Sequence, residues 1–255
     1  MANADLERIQ RLAARLVATS PAGLNLFLIG GFRYRLLDQS ARFSLDIDYH
    51  WEGDLDEKQQ ELQRLCRRAL LARVRRELGY EGRVDLPKGP DVESANVRLV
   101  ELRFWKASAV GSQIEVPLEI TRIICLDPTT VRTAEGVVYP TPSDTDLIEG
   151  KILAVFNRIF LQHRDLVDLF LYGDRLAKNS PGRLKDKLKR LQVDTRSVQR
   201  RLRDLEQNAG YHARVVQGIL DTQVDLVVAA QIKTGGGGRA VFARALQLIQ
   251  ANVQL

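Results

Sequence analysis

The chain has 255 residues, 45% hydrophobic and 27% charged, with 38 Lys+Arg against 32 Asp+Glu for a formal net charge of +6. That ordinary composition excludes a disordered or collagen-like chain and supplies apolar material for one large domain or two small ones. Two lone cysteines, Cys66 and Cys125, exclude a disulfide framework and a cysteine-rich zinc site. No run of about eighteen apolar residues occurs, and the acidic start, Met1-Ala-Asn-Ala-Asp-Leu-Glu, lacks the basic and apolar regions of a signal peptide. No membrane partner and a cytoplasmic location are therefore expected.

Residues 4–18 place Leu6, Ile9, Leu12, Leu16 and Val17 at helical spacing. Ser20-Pro21-Ala22-Gly23 breaks that helix. Residues 24–29 form a short apolar run that reads as a buried strand, and Gly30-Gly31 reads as a tight turn before a short helix over 32–37. Residues 43–51 alternate and predict a strand. A long helix is expected over 55–78, with Leu62, Leu65, Ala69, Val74 and Leu78 inward. Residues 82–139 read as β-rich. The clearest strands are 97–105 and 114–124, joined by a turn near Gly111-Ser112, and a hairpin turns at Glu135-Gly136.

Pro140-Thr141-Pro142 marks a break. Beyond it the pattern is helical, with Ser143 as N-cap and expected helices over 144–161, 164–177, 182–192, 194–208, 210–231 and 239–253. Gly235 to Gly238 read as a flexible connector. The expected domains are an α/β half, 1–142, and an all-helical half, 143–255. The charge is uneven. Residues 171–210 hold eleven basic and five acidic side chains, a net +6 equal to that of the whole chain, which favours an anionic partner for this segment.

The central chemical feature is Gly30-Gly31 followed by Ser44-Leu45-Asp46-Ile47-Asp48. On a strand Asp46 and Asp48 share one face, with Ser44, while Leu45 and Ile47 turn to the core. Paired carboxylates hold hard cations through oxygen, and a turn without Cβ atoms admits a phosphate to backbone N–H groups. Leu118 and Ile120 leave Glu119 opposite the core, and Glu115 lies on the same face and competes with it. A second constellation has Lys151, Ala154, Val155 and Arg158 on one helix face, and Asp165 and Asp168 one turn apart on the next helix. His50, His163 and His212 are scattered and read as structural or surface residues.

Gly-Gly, Ser-x-Asp-x-Asp, Lys-x-x-Ala-x-x-x-Arg and Arg-Asp-x-x-Asp, in this order, resemble the AbiEii/AbiGii-type toxin nucleotidyltransferases of the DNA polymerase β-like superfamily. The resemblance spans about residues 24–175, through Gly30, Gly31, Arg35 (or Arg33), Ser44, Asp46, Asp48, Lys151, Ala154, Arg158, Arg164, Asp165 and Asp168. It implies an α+β fold in which a mixed sheet with flanking helices precedes a helical domain that completes the active site and carries a basic surface. It implies transfer of an NMP from NTP to an acceptor, with RNA (tRNA) as the expected acceptor and an antitoxin as a possible partner. Asp46, Asp48 and Glu119 would hold Mg²⁺ or Mn²⁺, and Asp46, Asp48, Lys151 and Asp165 would be catalytic. Gly30, Gly31, Arg35, Ser44, Lys151, Arg158 and Asp168 would bind nucleotide. The same chemistry serves a small-molecule or protein acceptor, and an inactive binding scaffold is a further alternative.

Overall fold

The computed structural model describes residues 2–87, 96–106 and 113–253. The expected turn at Gly111-Ser112 lies outside them. The chain divides into two compact units, one of residues 1–123 and 129–142, the other of residues 124–128 and 143–255.

The first unit is built on a mixed sheet. Strands β1 (Phe27–Ile29), β2 (Ile47–His50), β3 (Glu81–Asp85), β4 (Val97–Trp105) and β5 (Gln113–Thr121) run in the order β1-β2-β5-β4-β3. Only β2 and β5 pair in parallel; the other neighbours are antiparallel. The apolar sides of β4 and β5, through Val100, Leu102, Phe104, Val116, Leu118 and Ile120, are fully buried. Helix α1 (Ala2–Ala18) covers them with Ile9, Ala13, Ala14 and Val17. Helices α3 (Leu55–Leu65) and α4 (Leu71–Leu78) add Leu62, Cys66, Leu70 and Val74 to the same core. These four residues repeat every fourth position, which drifts around an ideal helix of 3.6 residues per turn. A wider π-helical stretch, Cys66–Leu70, joins α3 to α4 and returns the stripe to the sheet. Leu65 and Ala69, expected inward, are only partly buried for that reason. A hairpin of β6 (Thr130–Ala134) and β7 (Val137–Thr141) closes this unit, turning at Glu135-Gly136 with both residues at positive φ.

Two local expectations change. The strand expected over 43–51 is regular only from Ile47, so Asp46 sits on the approach to β2, and Leu45 is 43% exposed rather than in the core. Helix α2 (Gly30–Leu37) begins at the first glycine, not after the turn.

The second unit is helical: α5 (Asp144–Asn157), α6 (His163–Tyr172), α7 (Ser180–Arg190), α8 (Thr195–Gln207), α9 (Ala209–Gln223), α10 (Leu226–Thr234) and α11 (Gly237–Asn252). Ser143 caps α5 by accepting from the Asp146 N–H. The helix expected over 210–231 is two helices. Val224 leaves helical geometry with φ −118° and ψ 145°, and the Asp225 side chain caps a new start at Val227.

The glycine run is not a flexible connector. Gly237 and Gly238 are buried and open α11, and the Gly238 N–H donates to Gln217 Oε1 on α9. A Cβ on Gly238 would lie 2.3 Å from the Ala213 carbonyl oxygen and 2.7 Å from the Gln217 nitrogen, so only glycine lets the two helices approach. Gly235 has no such crowding, its nearest neighbour being 3.5 Å away. Gly238→Ala should therefore cost roughly 1–3 kcal/mol in urea unfolding, whereas Gly235→Ala should stay within about 0.5 kcal/mol. Equal, small effects would restore the connector reading.

Candidate active site

The first unit gathers acid on the sheet face opposite the apolar core. Parallel register sets Asp48 of β2 beside Glu119 of β5. Asp46 joins them from the loop before β2, and carboxylate oxygens of all three lie within 4.8 Å of one another. The alternation that buries Leu118 and Ile120 leaves Glu119 on the outer side. Glu115 takes a different course, 3.6 Å from Arg103 and accepting from Gln113. The competition between the two glutamates for a place in the acidic group goes to Glu119.

Three features fix this cluster. Gly30 has φ +74°, and a Cβ there would lie 1.8 Å from Asp48 Oδ2; the absent side chain makes room for the carboxylate. Ser44 is buried and donates from Oγ to Asp46 Oδ1 at 2.7 Å. Gln10 of α1, also buried, donates from Nε2 to the Ser44 carbonyl at 3.1 Å and the Asp46 carbonyl at 3.4 Å, tying the loop to the helix. Gly31 serves a neighbour in the same way. Its missing Cβ gives space to Arg42 Nη2 at 2.2 Å and to Ser44 Oγ at 2.8 Å.

Sequence reasoning missed Gln10 and Arg42, although Gln10 interrupts the apolar run of α1 and so carried a signal. Arg33 is fully buried, paired with Asp38 and donating to Thr141 Oγ1. Arg35 bonds Glu7 through two nitrogens, donates to the Ser40 carbonyl and covers the Phe43 ring. The α2 N-terminus has no side-chain cap, an end that presents N–H groups to anions.

In the second unit, Lys151 Nζ lies 2.9 Å from Asp165 and 2.6 Å from Asp168. Asp168 is 1% exposed, so this ammonium compensates a buried carboxylate. Arg158 reaches the other Asp165 oxygen at 2.9 Å. Helix α5 ends at Asn157, and Arg158 is extended with φ −87° and ψ 145°, so it does not continue the Lys151 face as expected. Ala154 is half-buried and Arg164 lies at the start of α6.

Behind this pair lies a charged network that the sequence did not announce. Lys187, fully buried, sits 2.6 Å from Asp146 and 2.8 Å from Glu149. Arg183 contacts Asp127, Asp146 and Glu149. Burial alone would raise the Asp146 pKa; the Lys187 hydrogen bond, two backbone N–H donors and the Lys187 charge outweigh it and hold the group below its ordinary value. Two of the eleven basic residues in 171–210 are thus internal. Lys178, Lys185, Lys189, Arg190, Arg196, Arg200 and Arg203 are the exposed ones.

The fold resembles that of solved structures, among them a nucleotidyltransferase toxin. JHP933 from Helicobacter pylori superposes with a TM-score of 0.57 at 17% identity, covering 98% of this chain and 90% of that one. MenT4, nucleotidyltransferase toxin Rv2826c from Mycobacterium tuberculosis H37Rv, superposes with a TM-score of 0.57 at 17% identity, covering 98% and 84%. No curated protein matches the sequence. Fold and sequence together define a nucleotidyltransferase. The profile of the nucleotidyl transferase AbiEii toxin family, type IV toxin-antitoxin system, matches residues 11–223, and the chain belongs to that family.

Histidines 49 positions apart also meet, against the expectation that they are scattered. His163 Nε2 is 2.9 Å from His212 Nδ1, and the His212 ring stacks on Phe242. Burial lowers both pKa values, and for His163 the neighbouring His212 lowers it further. The folded state favours the neutral form of both rings, while the unfolded chain titrates at about 6.5. Stability from this pair is complete above about pH 6.5 and is lost as pH falls below it. Urea midpoints of the intact chain should decline between about pH 7.5 and 5.5; a flat profile would contradict the neutral pair.

Proposed function

We propose that the protein is a toxin that transfers an NMP from NTP to RNA, most specifically tRNA, using a divalent cation held by Asp46, Asp48 and Glu119, with a cognate antitoxin as its regulator. The convergence of the three carboxylates within 4.8 Å carries this reading. An all-oxygen, anionic donor set fits Mg²⁺ or Mn²⁺, and no soft ligand competes in the cluster. When bound there, such a cation would supply charge neutralisation at the triphosphate and would lower the pKa of an attacking hydroxyl.

The residues of the chain have separable tasks. Ser44 fixes Asp46 through the one hydrogen of its hydroxyl, which would turn from that carboxylate to the triphosphate when nucleotide binds. Gly30 and Gly31 keep the α2 N-terminus free of Cβ atoms beside the acids. Lys151 would oppose phosphate charge that develops during transfer, its ammonium held in ion pairs by Asp165 and Asp168. Arg158 adds a second cation on the same carboxylate, Asp165. Arg35 acts from behind, joining α1 to the loop that leads to Ser44. The exposed cations of residues 171–210 favour a polyanionic acceptor over a small molecule.

Incubating the protein with each α-labelled NTP, Mg²⁺ and total RNA should place label on tRNA-sized RNA. Asp46→Ala should abolish the labelling while its urea midpoint stays within about 1 kcal/mol of the parent. Undiminished transfer by the variant would remove the cluster from the mechanism. Label confined to small molecules or protein would replace the acceptor.

A further inference from the structure

The loop between α5 and α6 exposes two large apolar residues in succession, Ile159 at 84% and Phe160 at 77%. Single exposed apolar residues are ordinary; this pair is unusual because its backbone is held. Arg201 of α8 donates to the carbonyl oxygens of Arg158 at 2.8 Å and Ile159 at 3.1 Å. Arg158 is itself fixed on Asp165. Tyr211, 54% exposed, rests edge-on against His163, three residues beyond Phe160. The loop thus presents apolar side chains outward from an anchored frame.

The outer face of α8 is as distinctive. While Arg201 turns to the loop, Arg196, Arg200 and Arg203 are exposed at i, i+4 and i+7, one stripe along the helix. Like charges at this spacing destabilise a helix. Among the described residues none of these three guanidinium groups is ion-paired with an acid, which leaves the stripe to an anion repeated along a line.

We propose that this loop and stripe form a platform for an unpaired nucleic-acid strand, with bases stacking on Phe160 and backbone phosphates on Arg196, Arg200 and Arg203. This rests on the nucleic-acid acceptor of the proposed function and adds the residues that grip it. Guanidinium forks match phosphate oxygens, and an aromatic ring accepts the face of any base. A duplex keeps its base faces stacked internally, so Phe160 selects for single strands. An acidic protein segment would satisfy the stripe but has no need of the exposed Phe160 ring on the loop that Arg201 ties to the same helix.

The test is fluorescence anisotropy of the full chain with a short unstructured RNA and with the same sequence as a blunt duplex, across a salt series. Phe160→Ala should weaken single-strand binding about fivefold or more, leave duplex binding unchanged, and keep the salt slope. Phe160→Tyr should restore affinity. Replacing Arg196, Arg200 and Arg203 together by Gln should reduce the steepness of the single-strand salt slope by about 2, the value for three phosphate contacts. Urea midpoints matching the parent exclude unfolding as the cause. Asp46→Ala should bind RNA like the parent; binding without transfer supports the platform whatever becomes of the catalytic reading. Parental affinity and slope in both the Phe160→Ala and triple variants would overturn the proposal and leave the surface to an acidic protein partner. Equal losses on single strand and duplex in Phe160→Ala would overturn it as well.

Discussion

Carboxylates do not gather unless something holds them. Asp46, Asp48 and Glu119 place oxygens within 4.8 Å of one another, a spacing at which like charges oppose one another. The first unit is organised to impose that arrangement. Parallel pairing of β2 with β5 fixes Asp48 beside Glu119. The left-handed Gly30 clears space for Asp48, and Gln10 and Ser44 hold the loop that delivers Asp46. An all-oxygen donor set of this kind suits a hard cation, the role proposed for it.

The helical unit encloses its buried charges in pairs. Asp146 and Glu149 are enclosed with Lys187 and Arg183, and Asp168 is enclosed with Lys151. Removing one member would strand a buried charge, so these pairs fix which helices meet and keep Lys151 aimed. The cations left outward, among them the α8 stripe, are free of that structural duty. The same residue types thus serve two ends within forty positions, and burial separates them.

Much of the fold was legible because it follows short-range rules. The hairpin at Glu135-Gly136, the Ser143 cap and the alternation of Leu118, Glu119 and Ile120 are each decided by a few neighbouring residues. What could not be read depends on distant partners. Asp46 looks like a strand residue until the hold of Gln10, 36 positions away, keeps its loop irregular. The glycine run looks flexible until Ala213 and Gln217 of another helix pack against Gly237 and Gly238. Lys187 looks like surface charge until Asp146 and Glu149 surround it, and His163 has no visible link to His212. The family motifs located the acidic cluster and the Lys151 group; long-range register assigned Glu119, rather than Glu115, to that cluster.

The most direct test is calorimetric titration of NTP in the presence and absence of Mg²⁺, comparing the parent with Glu119→Gln and Glu115→Gln. The account predicts Mg²⁺-dependent binding that is weakened in Glu119→Gln and unchanged in Glu115→Gln. Binding indifferent to Mg²⁺, or equal weakening by the two substitutions, would contradict it.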